Sequence, residues 1–226
     1  LLGFLLLTGM GFLAEKSVAA LVPAYPGRIP WVGLVLVFEW HFIWAATSGM
    51  ETLLHAVLVL LAACLVWRRS PPWLLLGTLA GLSLWVRPDG VTLLGPILLT
   101  AVLVERGWRR KAGALTLSLA GFGLLLIPYL LFQYSLTGEP LPTTFYAKQA
   151  EYVEWQARSA GSRLGESLVS LLTGAGVILV PGIVSQVVKS LRARAWAPVA
   201  MFIWLAGYFG IYALRLPPYQ HARYLM

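Results

Sequence analysis

Long apolar runs alternate along the chain with short polar junctions. The runs lie near residues 1–14, 31–47, 53–67, 73–86, 91–104, 112–134, 167–188 and 197–214. Helices that cross a bilayer are predominantly apolar along their length, whereas a surface helix of a soluble protein keeps one polar face. The pattern therefore predicts an all-α, polytopic transmembrane helix bundle with about seven or eight spans.

Residues 135–166 are the polar exception to this pattern and are predicted to form a loop outside the bilayer. Within it, the sequence from Ala147 to about Leu164 predicts a helix at the membrane interface, with Tyr152 and Trp155 turned toward lipid. No linker divides the chain, so residues 1–226 are predicted to form a single transmembrane domain. The chain starts at Leu1 without Met and stops at Met226, so we expect it to be a fragment of a longer protein.

Composition supports a membrane protein. The chain has 226 residues, of which 59% are hydrophobic and 12% are charged, and its mean hydropathy is +0.77. Such a composition cannot supply the polar shell of a soluble domain. The net charge of +8 is therefore interpreted as a signal of how the chain is oriented in the membrane, and no nucleic-acid partner is expected.

The basic residues divide unequally between alternate junctions, eleven against six. The larger set is Lys16, Arg28, Arg68, Arg69, Arg106, Arg109, Arg110, Lys111, Lys189, Arg192 and Arg194. The smaller set is Arg87, Lys148, Arg158, Arg163, Arg215 and Arg223. Cytoplasmic loops carry the positive excess, so the larger set predicts the cytoplasmic side. Tryptophans 67, 73, 108 and 196 flank these basic loops and are predicted to anchor them in the headgroup layer.

Four polar motifs fall on the opposite, extracytoplasmic side. They are Ser48-Gly49-Met50-Glu51-Thr52, Arg87-Pro88-Asp89-Gly90, Leu141-Pro142-Thr143-Thr144-Phe145-Tyr146-Ala147-Lys148 and His221-Ala222-Arg223-Tyr224. Polar groups are costly in a bilayer, so their collection at one rim favours a functional site.

Arg87 and Asp89 lie between two predicted spans of 14 residues each. A helix of that length measures about 21 Å, which is short of a hydrocarbon core of about 30 Å. The turn is therefore predicted to lie below the membrane surface. Either the two charges line a cavity, or they satisfy each other at a bend made by Pro88 and Gly90.

Ser48 and Glu51 have the spacing of a capping box, with Ser48 as N-cap. Alternatively, the small pair Ser48-Gly49 lets a sugar approach, and the helix start favours an anion. His55 lies one turn after Glu51. It either shares the environment of Glu51 or is a packed side chain with a hydrogen bond to one ring nitrogen.

Glu39 and His41 interrupt another apolar run. On a continuous helix they point about 200° apart, so at most one of them is expected to be functional.

Tyr146 and Lys148 pair an aromatic ring with a cation, which suits a sugar and a phosphate. Arg223, between His221 and Tyr224, suits fork-like phosphate binding. The alternative for each cation is a side chain that snorkels to the interface. No metal-ligand spacing is present, and no cofactor is expected.

The order of the four motifs resembles that of bacterial polytopic glycosyltransferases of the GT-C type, especially the group related to mycobacterial terminal arabinofuranosyltransferases. The similarity spans nearly all of residues 31–226. The most specific stretch runs from Gly138 to Lys148. The chain departs from the family at Thr143, where Asn is usual.

The resemblance implies a multi-pass enzyme of the bacterial inner membrane with its active face outside the cytoplasm. Such an enzyme takes a sugar from a polyprenyl-phosphate donor and transfers it to a glycan or lipid acceptor of the cell envelope. The catalytic carboxylate of that fold lies in the first outer loop. No acidic loop precedes Ser48, so the base is expected upstream of Leu1.

The site residues predicted to bind substrate divide into three groups. Lys148, Arg223 and Arg87 are expected to stabilise the donor phosphate as it leaves. Glu51 and Asp89 are expected to hold sugar hydroxyls or to orient those cations. Tyr146 and Tyr224 are expected to stack on the sugar or bond to it, and His221 joins this rim. The alternatives are a transporter or lipid flippase, or a membrane protein without catalysis.

Overall fold

The computed structural model describes residues 1–21, 29–49, 51–139, 152–173 and 176–215. All regular structure in these ranges is helical, which confirms the all-α prediction. The elements are α1 (Leu2–Leu21), α2 (Trp31–Phe38), α3 (Trp40–Ser48), α4 (Thr52–Val66), α5 (Trp73–Val86), the 3₁₀ helix η1 (Pro88–Leu93), α6 (Leu94–Val104), α7 (Trp108–Thr137), α8 (Val153–Ala157), α9 (Ala160–Leu172), α10 (Gly176–Arg192) and α11 (Trp196–Arg215).

Within the described ranges, three helices are long and apolar enough to cross a membrane, namely α1, α7 and α11. The number rises to five if the bent pairs α2/α3 and α9/α10 each form one span. Large apolar side chains such as Leu124 and Leu131 of α7 are about two-thirds exposed, at 69% and 67%. A soluble surface rarely carries such continuous apolar area, so the chain is a membrane protein with several apolar helices.

Two predicted spans are wrong as continuous helices. The run 31–47 is broken at Glu39, and α2 and α3 meet at 57°. The run 167–188 is divided into α9 and α10, which are bent by 100°. The sequence between them is Thr173-Gly174-Ala175, and Gly176 begins α10, so two glycines, which are weak helix formers, lie at the break. By contrast, the predicted span 73–86 coincides with α5.

The core of the bundle is built on contact between α5 and α7. A Cβ atom at Gly77 would lie 1.9 Å from the carbonyl oxygen of Ser118, and one at Gly121 would lie 2.2 Å from that of Leu74. Such approach is possible only for glycine. Small residues at helix interfaces let backbones pack closely in membranes, where the hydrophobic effect gives little drive for association.

Two partly buried contacts join the first helices to one another and to α4. The carboxylate of Glu15 on α1 accepts a hydrogen bond of 3.0 Å from the backbone N–H of Gly33, in the first turn of α2. The hydroxyl of Ser17 lies 2.9 Å from the thiol of Cys64 on α4. Glu15 thus satisfies a backbone donor that the start of a helix leaves open.

The bundle has two distinct ends. Glycine contacts at successive turns show that α5 and α7 run parallel, and the indole of Trp73 donates to Glu105 at 3.0 Å across their common end. This basic end comprises residues 67–72, 105–111 and 189–195. The motif end comprises the start of α4, the turn from Arg87 to Leu93, and the last turns of α11. Trp73 is buried, so it is not the exposed anchor that was predicted, whereas Trp67, Trp108 and Trp196 are exposed.

The predicted interfacial helix is also corrected by the structure. The part from Ala147 to Glu151 lies outside the described residues. Beyond it the chain forms two helices, α8 and α9, separated at Arg158, where the backbone is extended. Tyr152 and Trp155 are only 6% and 4% exposed, so they do not face lipid. They are buried because α8 packs against α11.

Candidate functional site

Arg87 and Asp89 form an ion pair at the motif end. Arg87 leaves α5 in an extended backbone conformation, and Pro88 begins η1, so the chain turns sharply here. The Nε of Arg87 donates to Oδ1 of Asp89 at 3.1 Å, and their side chains are 5% and 12% exposed. A Cβ at Gly90 would lie 2.2 Å from the carbonyl oxygen of Ser83, so only glycine lets the turn pack against α5.

Two tyrosines of α11 complete the surroundings of Asp89. The hydroxyl of Tyr208 donates to Oδ2 of the carboxylate. Tyr212 stacks on Tyr208, with ring centroids 4.4 Å apart, and interacts with the same carboxylate. Both oxygens of Asp89 are therefore engaged by donors within the protein, and the carboxylate is placed to hold Arg87 in one orientation.

A third aromatic residue of α11 extends this contact. The hydroxyl of Thr92 donates to the backbone carbonyl of Asp89 at 2.8 Å and accepts from the indole of Trp204 at 3.2 Å. A cleft of about 180 Å³ lies beside these groups. Its walls are Thr92, Trp204, Gly207, Tyr208, Ile211 and Tyr212. An aromatic cleft therefore lies next to the buried ion pair.

His55 of α4 belongs to the same cluster. Its Nδ1 lies 2.8 Å from the hydroxyl of Ser83 on α5, and both residues are buried. The charges of Asp89, Arg87 and Glu51 all act on its ring. The hydrogen bond to Ser83 fixes the orientation of the imidazole ring. The direction in which the other ring nitrogen, Nε2, points is fixed with it.

The predicted capping box is wrong. Ser48 is the last residue of α3, and its hydroxyl donates back to the carbonyl of Ala45 at 3.1 Å. Gly49 then takes a left-handed conformation, with φ of 69°, which ends α3. Glu51 is exposed and its side chain makes no capping hydrogen bond to α4. A helix ends here before the next begins, so Ser48 is not free to cap α4.

The prediction that Glu39 and His41 point apart is also wrong, because the helix is interrupted between α2 and α3. Glu39 has an extended backbone and acts as N-cap of α3, accepting from the N–H of Phe42 at 3.2 Å. Its other oxygen lies 2.7 Å from Nδ1 of His41. The 100° spacing of a continuous helix does not apply across such a break.

The other predicted site residues can be placed only in part. Glu51 lies at the motif end with Arg87 and Asp89, but on the exposed surface. Five more lie outside the described residues, and these are Tyr146, Lys148, His221, Arg223 and Tyr224. In the ranges that the structure describes, no group of three or more His, Cys, Asp or Glu side chains is suited to a metal ion.

Sequence reasoning missed the contribution of α11. Trp204, Tyr208 and Tyr212 are spaced by four residues, which places them on one face of a helix. Aromatic side chains with a polar tip, repeated at this spacing within an apolar span, are a usable signal for a polar partner at membrane depth.

Comparison of the chain with protein-family models, curated proteins and solved structures finds no match. The motifs and the geometry of the motif end are therefore the features of the chain that bear on its function.

Proposed function

We propose that the chain is the donor-binding part of a GT-C type membrane glycosyltransferase, which transfers a sugar from a polyprenyl-phosphate donor to an extracytoplasmic acceptor. The observation that carries this proposal is the buried Arg87, held by Asp89 at the end of two short apolar helices. A charged group at such a place needs a functional reason, since burying an ion pair seldom adds stability.

The chemistry of Arg87 suits a leaving phosphate. When the bond between sugar and phosphate breaks, negative charge develops on the phosphate oxygens. A guanidinium that is already oriented stabilises this charge without having to reorganise. The guanidinium is oriented by Asp89, which lies in η1. Tyr208 and Tyr212 of α11 in turn hold the Asp89 carboxylate.

The remaining site residues are proposed from the motifs alone. Lys148 and Arg223 are assigned to the donor phosphate, and Tyr146, His221 and Tyr224 to the sugar. Glu51, exposed at the start of α4, holds sugar hydroxyls at the mouth. In this proposal the apolar runs of residues 1–226 form seven or eight spans in the bacterial inner membrane, with the motif end facing away from the cytoplasm and an envelope glycan or lipid as acceptor.

A transporter or lipid flippase is the second candidate, and one observation favours it. The span formed by α2 and α3 is broken at a buried acid and imidazole pair, Glu39 and His41. Discontinuous helices with polar groups at the break are common substrate sites in transporters.

The test is sugar transfer from polyprenyl-phosphate sugars by membranes that contain the complete protein. Arg87→Gln should reduce turnover by about a hundredfold or more, while Arg87→Lys should retain part of it. Arg158→Gln is the matched control, since Arg158 forms an exposed pair with Glu166. Full activity of Arg87→Gln would refute the role of the buried pair. Lipid movement across vesicles without sugar transfer would favour the flippase instead.

A further inference from the structure

The basic end concentrates positive charge on three neighbouring segments, residues 67–72, 105–111 and 189–195. They contain nine cations, which are Arg68, Arg69, Arg106, Arg109, Arg110, Lys111, Lys189, Arg192 and Arg194. Their only acid is Glu105, so their net charge is 9 − 1 = +8. All nine cations except Lys111 are exposed.

Within the described residues, no acid forms an ion pair with any of these cations. Glu105 accepts a hydrogen bond from Trp73. In the part of the chain that the structure describes, the ion pairs involve His41, Arg87 and Arg158, all outside the three segments. Close cations without counter-charges repel one another, so an external anion would stabilise this surface.

The α6–α7 turn is the densest part of the surface. Arg109, Arg110 and Lys111 lie in the first turn of α7, and no acid accompanies them. Cations are unfavourable near a helix N-terminus because the helix dipole is positive there. Helix packing does not explain them either, because the guanidinium of Arg109 lies over the exposed ring of Trp108, 5.7 Å from its centroid.

The neighbours of the cations place them at the level of lipid headgroups. Trp108 is 74% exposed, and Trp67 and Trp196 are 38% and 39% exposed beside the other two segments. Exposed apolar side chains of α6, such as Leu103 and Val104, come directly before the densest turn. Indoles prefer the interface between headgroups and hydrocarbon, so the cations beside them meet lipid phosphates rather than a soluble partner.

We infer that the basic end is a binding surface for the headgroups of anionic phospholipids, centred on Arg106, Arg109, Arg110 and Lys111. The anionic phosphodiester supplies the negative charge that the surface lacks, and the tryptophans pack at the top of the acyl chains. This inference does not depend on the proposed function, because the surface lies at the opposite end from Arg87 and Asp89.

The test uses the full chain in bilayers of phosphatidylcholine mixed with phosphatidylglycerol. The amounts of each lipid that remain bound to the purified protein are measured by mass spectrometry. We expect enrichment of phosphatidylglycerol, and a loss of that enrichment by about tenfold when Arg106, Arg109, Arg110 and Lys111 are all replaced by Gln. Replacing the three arginines by Lys should preserve it, because the charge is kept. Raised salt should weaken it in the native protein.

Two controls keep the inference open to refutation. Arg158→Gln removes an exposed cation outside the basic end and should leave the enrichment unchanged. Equal enrichment in the native protein and in the Gln variant, or an equal loss with Arg158→Gln, would overturn the inference. So would retention of nucleic acid by the native protein without any preference between the lipids. If the Gln variant does not fold, the Lys variant and the salt dependence decide the question.

Discussion

The hydroxyl of Tyr208 donates a hydrogen bond to the carboxylate of Asp89, which lies 119 residues earlier in the chain. This single contact joins α11 to the turn that carries Arg87. Because the carboxylate is mostly buried, each of its donors lowers the cost of keeping a charge inside the bundle.

Replacing Tyr208 by Phe removes this donor and keeps the ring. We expect a loss of about 1–3 kcal/mol in the free energy of unfolding, because an oxygen of a buried carboxylate loses its partner. Thermal unfolding in detergent measures the change. Tyr134→Phe is the control, since Tyr134 is 66% exposed on α7. Equal stability of the two variants would contradict a buried, hydrogen-bonded carboxylate.

Gly77→Ala tests the contact between α5 and α7. The new methyl group would meet the carbonyl of Ser118 at 1.9 Å, so the helices must separate. We expect a destabilisation of about 1–3 kcal/mol, as for other overpacked interfaces. Gly123→Ala on α7 has nothing within 4 Å and should be neutral or slightly stabilising, because Ala favours helix. The same unfolding measurement compares the two, and a neutral Gly77→Ala would refute the close approach.

Glu39→Ala and Glu51→Ala distinguish an acid that caps a helix from one that does not. Glu39 binds both the N–H of Phe42 and the ring of His41, so its loss should cost about 1–2 kcal/mol. Glu51 is exposed and caps nothing, so its loss should change stability by less than about 0.5 kcal/mol. The unfolding midpoints of the two variants are compared. A larger loss of stability for Glu51→Ala than for Glu39→Ala would support the capping box at Ser48 and Glu51.

Gly49→Ala tests the left-handed residue that ends α3. Its φ of 69° strains any residue with a Cβ, although space around it is open. We expect a loss of about 1 kcal/mol in stability. Gly9→Ala, which also has open space but lies within α1, is the matched control and should not destabilise the protein. Equal effects would show that the conformation of Gly49 is not required.

The helices were predictable where apolar runs ended at Pro, Gly or charge. Pro71-Pro72 and Arg87-Pro88 bound α5 so clearly that the predicted span 73–86 needed no correction. The break at Glu39 was not predictable in this way, because the surrounding residues Phe38 and Trp40 continue the apolar pattern. The extended backbone conformation of this one residue depends on tertiary contacts, and a hydropathy pattern does not reveal such contacts.

The candidate site was also predictable only in part. The juxtaposition of Arg87 and Asp89 follows from their separation by two residues and from the short helices on either side. The partnership with Tyr208 depends on how α11 packs against η1, and that contact is set by side chains far apart in the chain. A sequence pattern identifies polar groups at membrane depth, but the fold selects their partners.

The parallel contact of α5 and α7 has a consequence for biosynthesis. Two neighbouring helices that run in the same direction need a third segment to bring the chain back between them, and η1 and α6 supply it. Gly77 and Gly121 can meet their partner carbonyls only after both α5 and α7 have been synthesised and inserted. Packing of these three segments is thus expected to be completed as one unit, only once α7 has joined α5.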